Sequence, residues 1–151
     1  MNLFKIYLKE INKKIIKNKK NLGINSTNCL NQIVVENPPE KFNFDLSSNA
    51  AMVISKFNKE NPRNIADKLK LILLKEIKDF SNIDVAGPGF LNFKLSNKAW
   101  IKIIESIYKE KKKFGSNNQK KKYNIEFVSA NPTGPMHVGH CRGAVFGDVI
   151  S

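Results

Sequence analysis

Cysteine is nearly missing: Cys29 and Cys141 are the only two in 151 residues, and they form no paired spacing. A disulfide framework and a cysteine zinc site are therefore not indicated, and a reducing cytoplasm is the expected setting. Histidine is equally scarce, with only His137 and His140. Arginine is limited to Arg63 and Arg142, so bidentate reading of phosphates or bases has few donors. No apolar run is long enough to span a membrane, no signal-peptide core follows the N-terminus, and no internal repeat is visible.

What is present is lysine and enough apolar residues for a core. Apolar content of 41% excludes a disordered chain, and the length suits one domain, or a small domain plus part of a second. Net charge is +13 with a pI near 9.8, which favours nucleic acid or another anionic surface as partner. The same surplus of Lys, Asn and Ile also follows from an AT-rich genome without selection for binding. Residues 2–20 form a lysine-rich amphipathic segment. Targeting peptides prefer Arg and Ser, and Glu10 sits in the middle, so a surface helix of a globular domain is expected.

Leu3, Tyr7, Ile11 and Ile15, with Phe4, Leu8 and Ile16 beside them, mark the apolar face of a first helix. Lys5, Lys9, Lys13, Lys17 and Lys20 take the other side. Asn18 to Asn31 reads as loop, with Gly23 and an Asn/Ser/Thr cluster that includes Ser26. Ile33-Val34-Val35 predicts a short strand stopped by Pro38-Pro39. Phe42 and Phe44 lead into Asp45-Leu46-Ser47-Ser48-Asn49, a cluster of capping residues that predicts a helix over Ala50 to Phe57. Asn61-Pro62 opens another helix, with Ile65, Leu69, Ile72 and Leu73 inward, running to about Ile77. Ile83 and Val85, the turn Gly87-Pro88-Gly89, and Phe90 to Leu95 predict two strands. Ser96 or Asn97 caps a helix buried through Trp100, Ile103, Ile104 and Ile107. The charged run Lys109 to Lys122, interrupted by Gly115, Ser116, Asn117 and Asn118, reads as linker. The order describes a small α+β domain over 1–113, a linker over 114–122, and the start of a second domain over 123–151.

That second start is where the chemistry concentrates. Tyr123, Ile125 and Phe127 alternate with polar neighbours as in a strand, and Asn131-Pro132 and Gly134-Pro135 break regular structure. From His137 the pattern turns helical, with Val138, Cys141, Val145, Phe146 and Val149 at steps of three and four. Both histidines thus fall at a helix start, where unpaired N–H groups and the macrodipole favour an anion, phosphate above all. Gly139 between them lets a flat ligand approach the backbone, and Arg142 adds charge one turn on. A bare H-x-x-H is also half a metal site or two ordinary surface histidines, and no third ligand is evident.

The run Glu126-Phe127-Val128-Ser129-Ala130-Asn131-Pro132-Thr133-Gly134-Pro135-Met136-His137-Val138-Gly139-His140 resembles the ATP-binding signature of bacterial arginyl-tRNA synthetases, class I aminoacyl-tRNA ligases with a His-x-Gly-His element. Gly143 and Gly147-Asp148 are similar as well, and Asp45 to Asn49 and Ala86 to Phe93 look like the additional N-terminal domain of that family. The resemblance implies an α+β tRNA-contacting domain over 1–113. Beyond the linker it implies the first strand, loop and helix of a truncated Rossmann-like α/β catalytic domain over 123–151. It implies an arginine–tRNA ligase, cytoplasmic and monomeric, with ATP, arginine and tRNA(Arg) as partners, Mg2+ accompanying ATP, and no protein-bound metal or membrane. His137 and His140 then match catalytic positions on the ATP phosphates, and Gly139 the one packed by adenosine. Glu126, Ser129 and Asn131 match the lining of the arginine pocket, where a carboxylate suits a guanidinium; for Ser129 and Asn131 loop capping is the plain alternative. Phe90 and Asn92 match positions that meet a base of the tRNA D-loop. Otherwise Phe90 and Phe93 are sheet core and Asn92 is merely exposed.

Members of that family are several times longer, with a lysine signature and an anticodon-binding domain. One strand and one helix do not make a doubly wound sheet, and Ile125 and Phe127 would lie on an unpaired edge. The expectation is an N-terminal fragment that is inactive alone. An RNA-binding module and a shorter nucleotidyltransferase built on the same His-x-Gly-His element remain as alternatives.

Overall fold

Gly87 and Gly89 make the turn on which the sheet is built, with φ of 53° and 127°, values that side chains disfavour. A Cβ on Gly89 would stand 3.2 Å from Pro62, so the turn and the start of the preceding helix, which Pro62 opens, are held close. The computed structural model describes residues 2–24, 27–40, 43–116 and 122–150. It divides into two compact units, Met1–Ser116 and Asn117–Ser151.

The first unit is a mixed α/β fold. Its elements run α1 (Leu3–Lys17), a 3-10 helix (Thr27–Gln32), β1 (Val35–Glu36), β2 (Leu46–Ser48), α2 (Ala50–Asn58), α3 (Pro62–Glu76), β3 (Phe80–Ala86), β4 (Phe90–Leu95) and α4 (Asn97–Glu110), then a short 3-10 turn (Lys111–Lys113). All four strands pair antiparallel in the order β1-β2-β4-β3. Strand alternation sends Leu46, Ile83, Leu91 and Phe93 into the core, all wholly buried. The helices α2 and α3 pack on the sheet, and α1 packs on α3 and β1. Tyr7, Phe80 and Phe93 stack in series, with ring centroids 5.4 and 4.7 Å apart. The Tyr7 hydroxyl donates to Asp79 Oδ2 at 3.3 Å. Burial, then the Asp79 charge and this bond, push the phenol well above its ordinary range.

Local signals account for several boundaries. Asn2 caps α1 by accepting from the Lys5 N–H at 3.1 Å, and Tyr7, Ile11 and Ile15 form its buried face as the spacing predicts. Asn61 accepts from the Arg63 N–H at 2.8 Å, with Pro62 in the first turn of α3. Ser96, rather than Asn97, caps α4 through the Ala99 N–H at 3.2 Å.

The structure corrects other expectations. Asp45 to Ser48 is not only a capping cluster: Leu46–Ser48 is an inner strand, paired on both sides by β1 and β4. The predicted strand at Ile33 to Val35 lies two residues later, because the Asn49 side chain holds this segment instead. It accepts from the Val34 N–H at 2.9 Å and donates to the Gln32 carbonyl at 3.2 Å. The stretch read as loop contains the 3-10 helix Thr27–Gln32, which buries Cys29 and Leu30. Ile16 is exposed, and Ile72 is half-buried. The largest departure is α4. Only Ala99 is buried and Ile103 packs on the core, while Trp100, Ile104 and Ile107 stay exposed, because the helix meets the core along its Ala99–Ile103 side. The readings at Ser26, Phe42, Asn117 and Asn118 lie outside the described residues, as does most of the linker.

The second unit holds one regular element among its described residues, α5 (Val138–Ile150). Tyr123 to Phe127, read as a strand, makes no β-ladder: a strand needs a hydrogen-bonded neighbour, and none lies among the described residues. The spaced apolar residues of α5 are exposed, Val138 by 85% and Val149 by 78%. Only the glycine side of the helix is covered. A Cβ on Gly147 would stand 2.9 Å from Phe127 Cα, so the 126–127 backbone lies directly against α5.

Candidate functional site

Two places carry the residues singled out by sequence. The first is a cavity of about 230 Å³ on the sheet face opposite the helices, lined by Glu36, Asn37, Pro39, Ser47, Ala86, Gly87, Phe90 and Asn92. Strand register builds it: Glu36 pairs with Ser47, Ser47 with Asn92 and Asn92 with Asp84, so these four share one face in a row across the sheet. Phe90 lies two residues along β4 from Asn92 and therefore on that face, half-buried, whereas Phe93 points into the core. Asn92 is not merely exposed. It is 1% accessible, and its Nδ2 has no hydrogen-bond partner. Leaving an amide donor buried and unpaired costs about 1–3 kcal/mol, a cost that a ligand acceptor removes.

Phe90 and Asn92 are thus brought together in one cavity, while Glu36, Asn37, Pro39 and Ser47 were not anticipated there. Ser47 was hidden because the strand carrying it was read as a helix cap. The signal for Glu36 was the short apolar run ending at Val35, whose register only pairing defines.

The second place is the start of α5. His137 stands directly before the helix, and its Nδ1 accepts from the Gly139 N–H at 3.1 Å. In return, the His137 N–H donates to His140 Nδ1 at 3.1 Å, and the His140 N–H donates to the His137 carbonyl at 2.9 Å. This is the reciprocal logic of a capping box, made with two imidazoles. An Nδ1 that accepts carries no proton, so each neutral ring keeps its Nε2–H as the donor available to a ligand. The rings lie 4.0 Å apart between centroids. A Cβ on Gly139 would meet the His137 Cε1 at 2.9 Å, so a side chain there would turn this ring aside.

Around these rings, one cavity of about 340 Å³ is lined by Asn131, Gly134, His137 and His140 among others. A second, of about 190 Å³, is lined by Val128, Ser129, Gly139, His140 and Gly143. His140 belongs to both, so Asn131 and Ser129 approach it from different sides. Glu126 lines neither; its backbone carbonyl packs at the Gly147 position instead. No group of three metal-ligating side chains occurs among the described residues. No helix among them is long and apolar enough to cross a membrane.

Residues 6–95 match the family described as arginyl tRNA synthetase N terminal domain. Among curated proteins, an arginine–tRNA ligase of Pelagibacter ubique (strain HTCC1062) is 47% identical over 153 residues, covering 100% of this chain and 26% of that protein. The arginine–tRNA ligase of Bartonella quintana (strain Toulouse) is 45% identical over 157 residues, with the same 100% and 26% coverage. That of Anaplasma marginale (strain St. Maries) is 48% identical over 124 residues, covering 81% of this chain and 21% of that protein. The chain spans about a quarter of the length of the curated relatives it matches in full. It belongs to the arginyl tRNA synthetase N terminal domain family.

Proposed function

We propose that this chain serves an arginine–tRNA ligase as its tRNA-gripping N-terminal domain, 1–113, followed by a linker, 114–122, and the opening of the catalytic domain, 123–151. The observation that carries the first part is the buried, unpaired Asn92 amide at the floor of a cavity edged by Phe90. An aromatic ring and an amide are what unstacked RNA bases are read by, through stacking and hydrogen bonding. In this reading the base comes from the D-loop of tRNA(Arg), and the lysine-rich surface supplies nonspecific attraction.

The second part assigns the start of α5 to ATP. The Nε2–H groups of His137 and His140 and the helix N-terminus suit phosphate oxygens, with adenosine packed over Gly139. Because the His137 ring lies against Gly139 here, it must turn aside for adenosine to reach that glycine. Ser129 and Asn131 contribute to arginine binding, and Glu126 does so once it faces the guanidinium. The arginine carboxylate attacks the α-phosphate, pyrophosphate leaves, and the 2′-OH at the tRNA end captures the adenylate. The protein's share is positioning and charge stabilisation. Mg2+ enters with the nucleotide phosphates. The Rossmann-like sheet of this reading requires further parallel strands. A monomer in the cytoplasm completes this reading.

Affinity of the chain for intact tRNA(Arg) and for a transcript lacking the D-loop, measured across salt concentrations, tests the proposal. Tighter binding of intact tRNA that persists at high salt is expected. Equal affinities would reduce the interaction to nonspecific charge.

A further inference from the structure

Two helices of the first unit turn very different surfaces to water. On α1 the side away from the core carries Lys5, Lys9, Lys13 and Lys17, with Ile6 and Ile16 between them. On α4, Ala99 and Ile103 meet the core, and Lys98, Lys102, Glu105 and Lys109 gather on one flank. The other flank is Trp100, Ile101, Ile104, Ile107 and Tyr108, all exposed, Ile104 by 60% and Tyr108 by 78%.

At about 3.6 residues per turn and 1.5 Å per residue, these five side chains fall within about a third of the helix circumference, along roughly 12 Å of its axis. Scattered apolar residues on a surface need no explanation, but a continuous strip marks a binding face. Steps of three and four residues are how a helix presents anchors to a protein surface laid against it. Trp100, the single tryptophan of the chain, and Tyr108 are residue types enriched at the centres of protein interfaces.

Chemistry narrows the occupant. The strip holds no charge, so it offers nothing to a phosphate backbone, and a second copy would bring +13 against +13. In the relatives that the chain matches in full, the matched part is 26% of the protein, so most of such a ligase lies outside it. The helix α4 is also the last α-helix of the first unit, next to the passage toward the rest. We propose that the strip from Trp100 to Tyr108 is the seat on which the part of a full-length ligase beyond residue 151 docks, through an apolar surface of its own. This rests on the reading of the chain as part of a longer ligase and goes beyond it by giving the first unit a protein interface. The charged flank then stays in water as its rim.

The test compares hydroxyl-radical labelling, read by mass spectrometry, in this chain and in a full-length ligase that carries it. Labelling of Trp100, Ile104 and Tyr108 should fall in the full-length ligase toward that of the wholly buried Phe93. Ile104→Lys puts a charge into the proposed interface but leaves an exposed helix position satisfied in the chain alone. It should restore labelling of Trp100 and Tyr108 in the full-length ligase and lower its melting midpoint, while the midpoint of the 151-residue chain stays unchanged. Ile104→Leu should behave as wild type in both. Equal labelling of the strip in the chain and the full-length ligase would overturn the proposal. So would protection that appears in the chain alone as its concentration rises, or on adding tRNA or anionic lipid vesicles, because the strip would then have another occupant. The ligase reading is judged apart: a full-length protein that fails to charge tRNA(Arg) sinks that reading, whereas an unprotected strip in a protein that charges normally sinks only the docking.

Discussion

The outer sheet face of the first unit and the start of α5 both gather polar groups around a cavity, but they meet their hydrogen-bonding needs in opposite ways. On the sheet, Ser47 and Asn92 are fixed by ladders on both sides, and Asn92 is left with a donor that nothing in the described protein satisfies. At the helix start, His137 and His140 satisfy each other's backbone and ring nitrogens. Under the functions proposed above, the first would receive its ligand in a geometry held by a finished core, whereas the second would give up the His137–Gly139 contact when adenosine enters. Tertiary support accompanies the first and, among the described residues, is slight around the second.

The sharpest way to break this comparison is to remove core support. Phe93→Ala deletes a wholly buried ring directly beneath the cavity and is expected to cost about 3–5 kcal/mol, read from urea unfolding of the first unit. Phe146→Ala, at an exposed position of α5, should change stability by no more than about 0.5 kcal/mol. Similar costs for both would mean that the second unit has a core of its own.

Next in size is chemistry. In a full-length enzyme carrying this segment, His137→Ala or His140→Ala is expected to lower arginine-dependent ATP–pyrophosphate exchange roughly a hundredfold, the effect of losing one preorganised charge stabiliser. Near-normal exchange in either variant removes the phosphate role.

A smaller effect concerns acid. Hydrogen bonds from Asn18 and Lys17, with the charges of Lys17 and Lys14, hold the Glu76 carboxyl down at about 2 from its ordinary 4.5. A depressed carboxyl contributes stability that is present above 4.5 and is lost as pH falls toward 2. The urea midpoint of the wild type should therefore drop more steeply through that window than the midpoint of Glu76→Gln. Parallel curves would show that the α1–α3 contact does not depend on the carboxylate.

The smallest effect sharpens the contrast at α5. Long-range proton–nitrogen NMR spectra near neutral pH should show both histidines protonated on Nε2 and bare at Nδ1. Gly139→Ala forces the His137 ring aside and should shift both signals. Rings averaging over both tautomers would dissolve the mutual cap.

Much of the fold was legible because its signals are local. Asn61-Pro62, Ser96, the glycine turn at 87–89 and the spacing of Tyr7, Ile11 and Ile15 all act within a few residues. Leu46–Ser48 was not legible: three residues, two of them serine, become a strand only because β1 and β4 pair with them from a distance. The cavity was half-legible for the same reason. Phe90 and Asn92 lie on a hairpin with clear turn chemistry, but Glu36 and Ser47 join them only through register. In α4 the spacing of Trp100, Ile104 and Ile107 described an apolar face correctly, yet could not say that the helix would meet the core along its Ala99 side.

The most direct test of the account compares Phe90→Ala and Asn92→Ala with wild type, measuring affinity for intact tRNA(Arg) and for a D-loop-deleted transcript over a salt series. Both variants should lose most of the preference for intact tRNA, with the slope of affinity against salt nearly unaltered, because neither residue carries a charge. Retained preference, or a slope that changes with the variants, would contradict a base-reading cavity on the outer sheet face.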